Sequence, residues 1–148
     1  MPASPTPVDR ALRDEIEELV TRYATAIDRR DWALFRSVFA DDAHIDYGPL
    51  MGAWDDVDEF TEFMRAAHAP AGRSIHRMTN IVVAPGEPLA ARTYGDSLIL
   101  DGADEANGNH GAASYDDTFV RTDAGLKIAS RITNVIVYEP FSGNLAVG

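Results

Sequence analysis

The first part of the chain carries apolar residues at three- and four-residue steps, the spacing that places them on one face of a helix. After the proline-containing stretch 1–8, Asp9 can cap a helix of about twenty residues. The apolar stripe of this helix is Leu12, Ile16, Leu19, Val20, Tyr23 and Ile27. We therefore predict a flexible arm at 1–8 and the start of the folded domain at residue 9.

Aspartates at capping positions predict two shorter helices after the first. One follows Asp31 and ends at Asp41, ahead of a short strand at 44–47. It would bury Trp32, Phe35, Val38 and Phe39. The other helix follows Asp55 or Asp56.

The second half of the chain changes to the composition of strands, rich in Ile, Val, Thr and Tyr. Four long strands are predicted, at 74–84, 89–100, 112–122 and 126–138. The Gly-, Asn- and Asp-rich stretch 101–111 is typical of a mobile hairpin loop. Helices followed by a meander of strands indicate an α+β domain over 9–139, with three helices on one face of a bent, mostly antiparallel sheet and a tail at 140–148.

Charge and composition exclude several classes of function. The 148 residues include 24 Asp and Glu against 13 Lys and Arg, a net charge of -11 that repels nucleic acids and anionic membrane surfaces. There are no cysteines, so disulfides and thiolate sites are excluded. No apolar run approaches the roughly 20 residues of a membrane span, and 1–8 lacks the features of a signal peptide. We expect a cytoplasmic protein.

Polar residues recur among apolar ones on the predicted strands, a mixture typical of a ligand pocket. By alternation, His76 shares a face with Met78, Asn80 and Val82. Two later faces have the same character: Tyr115 with Asp117 and Phe119, and Asn134 with Ile132, Ile136 and Tyr138. Asn80, Asp117 and Asn134 are equally compatible with polar groups satisfied in the core or at a sheet edge.

Asp28 is unusual because it lies in the last turn of the first helix, where the negative end of the helix dipole disfavours a carboxylate. It lies at the edge of the apolar stripe that contains Tyr23, so both side chains can face the mouth of the sheet. Another residue should therefore hold the Asp28 carboxylate in this position. Spacing by itself does not say which residue this is.

Three runs carry a resemblance to a known family. The first is Tyr23-Ala-Thr-Ala-Ile-Asp28-Arg-Arg-Asp31-Trp32. The others are Phe39-Ala-Asp-Asp with Asp46-Tyr47, and Ile75-His76 followed by Asn80. Together they resemble the SnoaL-like family of the nuclear transport factor 2-like superfamily, in particular its scytalone dehydratases, bile acid 7α-dehydratases and hexachlorocyclohexane dehydrochlorinases. The resemblance implies a cone-shaped α+β barrel and a homodimer or homotrimer.

The same resemblance implies catalytic roles. His76 matches the general base, Asp28 its hydrogen-bond partner, Tyr23 a catalytic tyrosine and Tyr47 a substrate-binding tyrosine. One departure is that Ile99 stands where scytalone dehydratases have a second histidine. Further candidates for substrate binding, all of which can equally be core residues, are Asn80, Tyr115, Trp54 and Phe63.

The predicted function is that of a cofactor-independent lyase, a dehydratase that removes a proton and eliminates water from a small, mostly apolar molecule. An isomerase or polyketide-cyclase-like enzyme using the same base is the first alternative, and a non-catalytic ligand-binding or assembly module is the second. No HExxH, P-loop or GxGxxG motif is present. His44, Asp46, His68 and His110 could imitate metal ligands, but we predict no metal site.

Overall fold

The structure, a computed structural model, describes residues 9–143. The predicted arm at 1–8 and the part of the predicted tail at 144–148 lie outside the described residues. The elements are α1 (Arg10–Arg29), α2 (Trp32–Ser37), β1 (Phe39–Asp46), β2 (Ala53–Trp54), α3 (Val57–His68), β3 (Ala71–Ala84), β4 (Leu89–Asp101), β5 (Gly108–Thr122) and β6 (Gly125–Phe141).

The three helices begin at the predicted aspartates. The carboxylates of Asp9, Asp31 and Asp56 each accept a hydrogen bond from a backbone N–H in the first turn that follows. The α1 stripe is confirmed, because its buried residues are Ile16, Leu19, Val20, Tyr23, Ala24, Ala26 and Ile27. The helix ends at Arg29, and the backbone of the capping residue Arg30 is left-handed with φ 58°.

The sheet has the order β2-β1-β6-β5-β4-β3. Neighbouring strands are antiparallel except β1 and β6, which are parallel. The three helices pack on one side of this strongly curled sheet, with α1 against β3 and α3 against β1. The predicted α+β cone is therefore confirmed.

The boundary between α2 and β1 was predicted wrongly. The helix ends at Ser37, and Phe39 begins the strand instead of ending the helix. Asp41 and Asp42 are exposed within the strand, beside an irregularity in its pairing with β6. The sequence pattern ends the helix at Asp41, but β6 supplies a pairing partner for this segment from far along the chain, and a local pattern cannot reveal it.

The loop predicted at 101–111 is also shorter than expected, because β5 already begins at Gly108. A Cβ at this glycine would clash with the carbonyl oxygen of Ile99. This glycine allows two strands to pack closely and does not mark a turn, so the glycine-rich composition predicts a loop that is too long. The predicted tail likewise begins too early, since β6 runs through Phe141. The mobility of the loop stays a prediction.

A β-bulge overturns the predicted face of β3, and the face predicted to line a pocket in β6 points outward. In β3 the register shifts between Thr79 and Val82, and Asn80 has φ 54°. The extra residue inverts the alternation, so Ile81 is buried and Asn80 and Val82 are exposed. In β6, Ile132, Asn134 and Ile136 share a face as predicted, but this face is exposed, and Arg131 and Thr133 on the opposite face are buried. A bulge is a tertiary feature that strict alternation cannot anticipate.

The outer face of the sheet exposes several large apolar side chains, among them Ile75, Tyr94, Leu98, Ile132 and Ile136. The homodimer or homotrimer stays a prediction. Within residues 9–143, none of the helices is both long and apolar enough to cross a membrane.

Candidate active site

A cavity of about 540 Å³ lies between the helices and the inner face of β3 to β6. This volume is in the range of pockets that bind small organic molecules. Its polar lining residues include Tyr23, Tyr47, His68, His76, Ser97, Tyr115 and Thr133. Apolar side chains such as Met64, Ile99 and Val137 make up much of the remaining wall.

The structure brings Asp28 and His76 together. Asp28 Oδ1 lies 2.7 Å from His76 Nδ1, and Asp28 Oδ2 accepts the backbone N–H of His76 at 2.9 Å. Since a carboxylate can only accept, Nδ1 carries the proton, and in the neutral imidazole Nε2 keeps its lone pair. The His76 side chain is 12% exposed and lines the cavity. These bonds to β3 offset the unfavourable position of Asp28 at the end of α1.

Arg30 and Ser74 hold this pair in place. The hydroxyl of Ser74 donates to Asp28 Oδ1 at 2.8 Å and accepts from Arg30 Nη1 at 3.0 Å. The same guanidinium donates to the carbonyl oxygens of Ile27 at 2.6 Å and Gly72 at 2.7 Å. The end of α1 is thereby fixed to the start of β3. Sequence reasoning missed both residues, although Arg30 lies two positions after Asp28.

Two buried tyrosines, Tyr23 and Tyr47, and the half-buried Tyr115 line another part of the cavity. The hydroxyls of Tyr23 and Tyr47 are hydrogen-bonded at 2.5 Å. The ring of Tyr115 lies 6.1 Å from that of Tyr23 and 6.4 Å from that of Tyr47. Burial raises the pKa of all three phenols, most clearly at Tyr23 and Tyr115. They are therefore neutral hydrogen-bond donors at neutral pH.

Arg131 lies behind the tyrosines and was missed by sequence reasoning. Its guanidinium is 4.3 Å from the ring centre of Tyr23 and 4.6 Å from that of Tyr115. Two bonds of 2.8 Å pair it with Asp117. Burial opposes the charged guanidinium, but the Asp117 carboxylate outweighs this and the pKa of Arg131 rises above its usual value.

Three buried side-chain polar atoms near the tyrosines have no hydrogen-bond partner among the described residues. They are Nη1 of Arg131, Oγ1 of Thr93 and Oγ1 of Thr133, and of these residues Thr133 lines the cavity. A buried polar group without a partner costs about 1 to 3 kcal/mol. This end of the cavity therefore has unused capacity for hydrogen bonds.

His68, in the last turn of α3, also lines the cavity. Its ring lies 6.2 Å from that of His76 and 5.8 Å from that of Trp32, and its Nδ1 is 2.8 Å from the carbonyl oxygen of Met64. The sequence suggested only that His68 was one of several scattered histidines. Its position at the end of an apolar helix face was the available signal.

Three predicted substrate-binding residues do not line the cavity. The ring centres of Trp54 and Phe63 are 4.7 Å apart with the rings tilted, and Trp54 packs against Tyr47, 6.5 Å between ring centres, from outside the cavity. Both are partly buried and pack against the hydrophobic core. Asn80 is exposed because of the bulge in β3. Of the predicted set, the cavity is lined by Tyr23, Tyr47, His76 and Tyr115, with Asp28 directly behind His76.

The other histidines lie outside the cavity lining. His44 is 2.6 Å from Asp55, and His110 is 3.6 Å from Glu139. Among residues 9–143, no three His, Asp or Glu side chains are grouped as metal ligands would be.

A curled sheet with helices on its inner side and a lined cavity between them defines a protein of the nuclear transport factor 2-like class. The model of the SnoaL-like domain matches residues 9–132. The chain therefore belongs to the SnoaL-like family, as the resemblance in its sequence implied. Rv2910c, an uncharacterized protein of Mycobacterium tuberculosis H37Rv, is 28% identical over 121 residues, which are 81% of this chain and 82% of that protein.

Solved structures agree on the fold. Kfla4162 from Kribbella flavida has a TM-score of 0.78 at 23% identity, covering 88% of this chain and 95% of its own. A hexachlorocyclohexane dehydrochlorinase, LinA type 2, has a TM-score of 0.73 at 20% identity and 90% coverage of both chains. A scytalone dehydratase-like protein from Novosphingobium aromaticivorans has a TM-score of 0.74 at 17% identity, covering 93% of this chain and 95% of its own. At these identities the likeness shows the fold alone.

Proposed function

We propose that this protein is a lyase, a dehydratase in which His76 removes a proton from a small, mostly apolar carbonyl compound. The observation that carries the proposal is the bond between Asp28 and His76 Nδ1, which gives the imidazole a lone pair on Nε2 at the cavity wall. The dehydrochlorinase and the dehydratase-like protein among the structural neighbours are consistent with this reaction class.

Asp28 supports a base in two ways. Its hydrogen bond fixes the tautomer of His76, so that the unprotonated nitrogen is the one available to a ligand. Its charge also stabilises the imidazolium that forms when the proton has been taken. Because Asp28 binds the backbone N–H of the same residue, the orientation of the ring is held together with its charge.

The tyrosines would receive the negative charge that develops on the substrate. In the hydrogen bond between Tyr23 and Tyr47, whichever hydroxyl accepts keeps its own proton for a ligand. Neutral phenols near the Arg131 guanidinium are suited to donate to an enolate oxygen. Such preorganised donors typically contribute a few kcal/mol to stabilising a transition state.

The proposed reaction balances without a cofactor. His76 takes the proton from the carbon next to the carbonyl, and the C–H electron pair becomes the double bond of an enolate. When the carbonyl re-forms, the neighbouring carbon loses its hydroxyl group. That group takes the proton from the imidazolium and leaves as water, so His76 returns to its neutral form.

Two related ketones test the steps separately. Exchange of the C2 protons of 1-tetralone in D2O, followed by NMR, reports proton removal alone. Release of 1-naphthol from 3-hydroxy-1-tetralone reports elimination, because loss of water followed by tautomerisation gives the naphthol. With His76→Gln, we expect both rates to fall about 100-fold or more. His44→Gln, outside the cavity lining, is the matched control.

Each outcome points to one class of protein. Exchange and naphthol release that both depend on His76 support the dehydratase. Exchange without elimination would favour the isomerase or cyclase alternative. Binding of both ketones with neither reaction would contradict the enzyme and favour a ligand-binding module.

A further inference from the structure

His68 is a second polar group in the cavity that the proposed proton transfer leaves unused. It is 8% exposed as a residue and lies on the helix side of the cavity, between Trp32 and His76. Its Nδ1 is 2.8 Å from the carbonyl oxygen of Met64. Among residues 9–143, no hydrogen bond to its Nε2 is found.

The backbone fixes the tautomer of this histidine. A carbonyl oxygen can only accept, so Nδ1 of His68 must donate to it. In the neutral ring the proton is therefore on Nδ1, and Nε2 is an acceptor. Met64 lies one turn earlier in the same helix, so the contact is set by helix geometry and does not depend on a bound ligand.

We propose that His68 Nε2 accepts a hydrogen bond from a hydroxyl group of the ligand, which makes His68 a specificity-determining residue that selects hydrogen-bond donors. This inference rests on the proposed function, because it assumes that the cavity between His68 and His76 holds the substrate. The ligand would then be bound at two kinds of group: an acceptor at His68, and donors at the tyrosines.

The surroundings of His68 favour its neutral form. Burial lowers its pKa, and the neighbouring His76 and Arg30 act in the same direction. The hydrogen bond to Met64 and the charge of Asp28 oppose this, but the net pKa is below the usual value. An imidazole that is neutral at pH 7 can accept but not donate at Nε2.

Equilibrium binding of 2-naphthol and 2-methoxynaphthalene tests the proposal. The two probes share a ring system, but only the naphthol can donate. Dissociation constants are measured by fluorescence for the wild type and for His68→Phe, which keeps a flat ring and loses the acceptor. We expect the preference for 2-naphthol to fall about 3- to 10-fold in the variant, the range of one net hydrogen bond.

Indirect effects of the substitution are controlled for by two further variants and by an NMR measurement. His68→Gln retains an acceptor and should keep most of the preference, and His44→Phe should leave it unchanged. In the wild type, the ¹⁵N signal of the unprotonated His68 nitrogen should shift on addition of 2-naphthol and not of its methyl ether. An unchanged preference in His68→Phe, or a protonated Nε2 at pH 7, would overturn the proposal.

These measurements are independent of catalysis. If the preference stays the same in His68→Phe while exchange of 1-tetralone still requires His76, this inference fails and the proposed function stands. If the preference falls in His68→Phe but His76→Gln leaves exchange intact, this inference stands and the proposed function fails.

Discussion

Asp28 binds His76 twice, through the ring Nδ1 at 2.7 Å and through the backbone N–H at 2.9 Å. One carboxylate at the end of α1 thus orients both the imidazole and the strand that carries it. Its removal should therefore affect chemistry and structure together, and experiments have to separate these effects.

Asp28→Asn tests the charge of this residue while keeping its shape. The amide can still contact His76, but it does not stabilise an imidazolium, so exchange of 1-tetralone should fall about 100-fold. Binding of 2-methoxynaphthalene, which depends on the cavity wall, should change little. A variant that retains more than half of the wild-type exchange rate would show that the carboxylate charge is dispensable.

Ser74→Ala tests whether Arg30 positions the carboxylate through Ser74. The change removes one of three hydrogen bonds to Asp28 and leaves its two bonds to His76 intact. We expect the exchange rate to fall several-fold and its pH profile to shift, because the hydrogen bond to the carboxylate is lost. Ser37→Ala, at the exposed end of α2, is the control. An unaltered pH profile would argue against a positioning role.

Arg131→Met tests the buried ion pair. The substitution leaves the Asp117 carboxylate buried without its partner, so the free energy of unfolding in urea should fall by about 3 to 5 kcal/mol. The double variant with Asp117→Asn should lose less than the sum of the two single changes, because no charge is left uncompensated. Additive losses would mean that the two side chains do not interact.

Gly95→Ala tests the space that the cavity wall gives to Tyr115. A Cβ at this position would lie 2.7 Å from Cε2 of Tyr115 and 3.1 Å from Sδ of Met78. We expect a loss of about 1 to 3 kcal/mol in unfolding free energy and weaker binding of the naphthalene probes, since the ring must move. Alanine at Gly72 meets only backbone atoms at 3.2 Å and beyond, away from the tyrosines. Equal probe binding in both variants would contradict a specific effect on Tyr115.

The pKa of His68 predicts how stability depends on pH. Because the folded state lowers this pKa, the unfolded chain takes up the proton more readily as the pH falls. The contribution of His68 to the free energy of unfolding is fully present above its pKa in the unfolded chain, about 6.5. It is lost as the pH falls through the lower pKa of the folded state. Urea unfolding at pH 7 and pH 5 should show a steeper loss for the wild type than for His68→Phe.

The groups that face His68 serve as an internal control for this experiment. Asp28, His76 and Arg30 remain in the variant, so their own titration affects both proteins. Equal losses in the wild type and His68→Phe would contradict a buried neutral His68.

Much of the fold and part of the site could be read from local patterns. The capping aspartates and the stripe that includes Tyr23 follow from backbone hydrogen bonding and helical periodicity, which act within a few residues. The partnership of Asp28 and His76 came from resemblance, since they are 48 positions apart. Trp54 and Phe63 could not be separated from cavity residues, because aromatic side chains in a core and in a pocket look alike in sequence.

What the sequence by itself determined is therefore the order of helices and strands, the acidic surface and the unusual position of Asp28. The tertiary structure alone decided which side chains meet in the cavity. A bulge at Asn80 turned it outward, the pairing of β6 brought Arg131 behind Tyr23, and the packing of α3 set His68 beside His76. Each of these depends on contacts between distant segments, where a shift of one residue reverses the face of a strand.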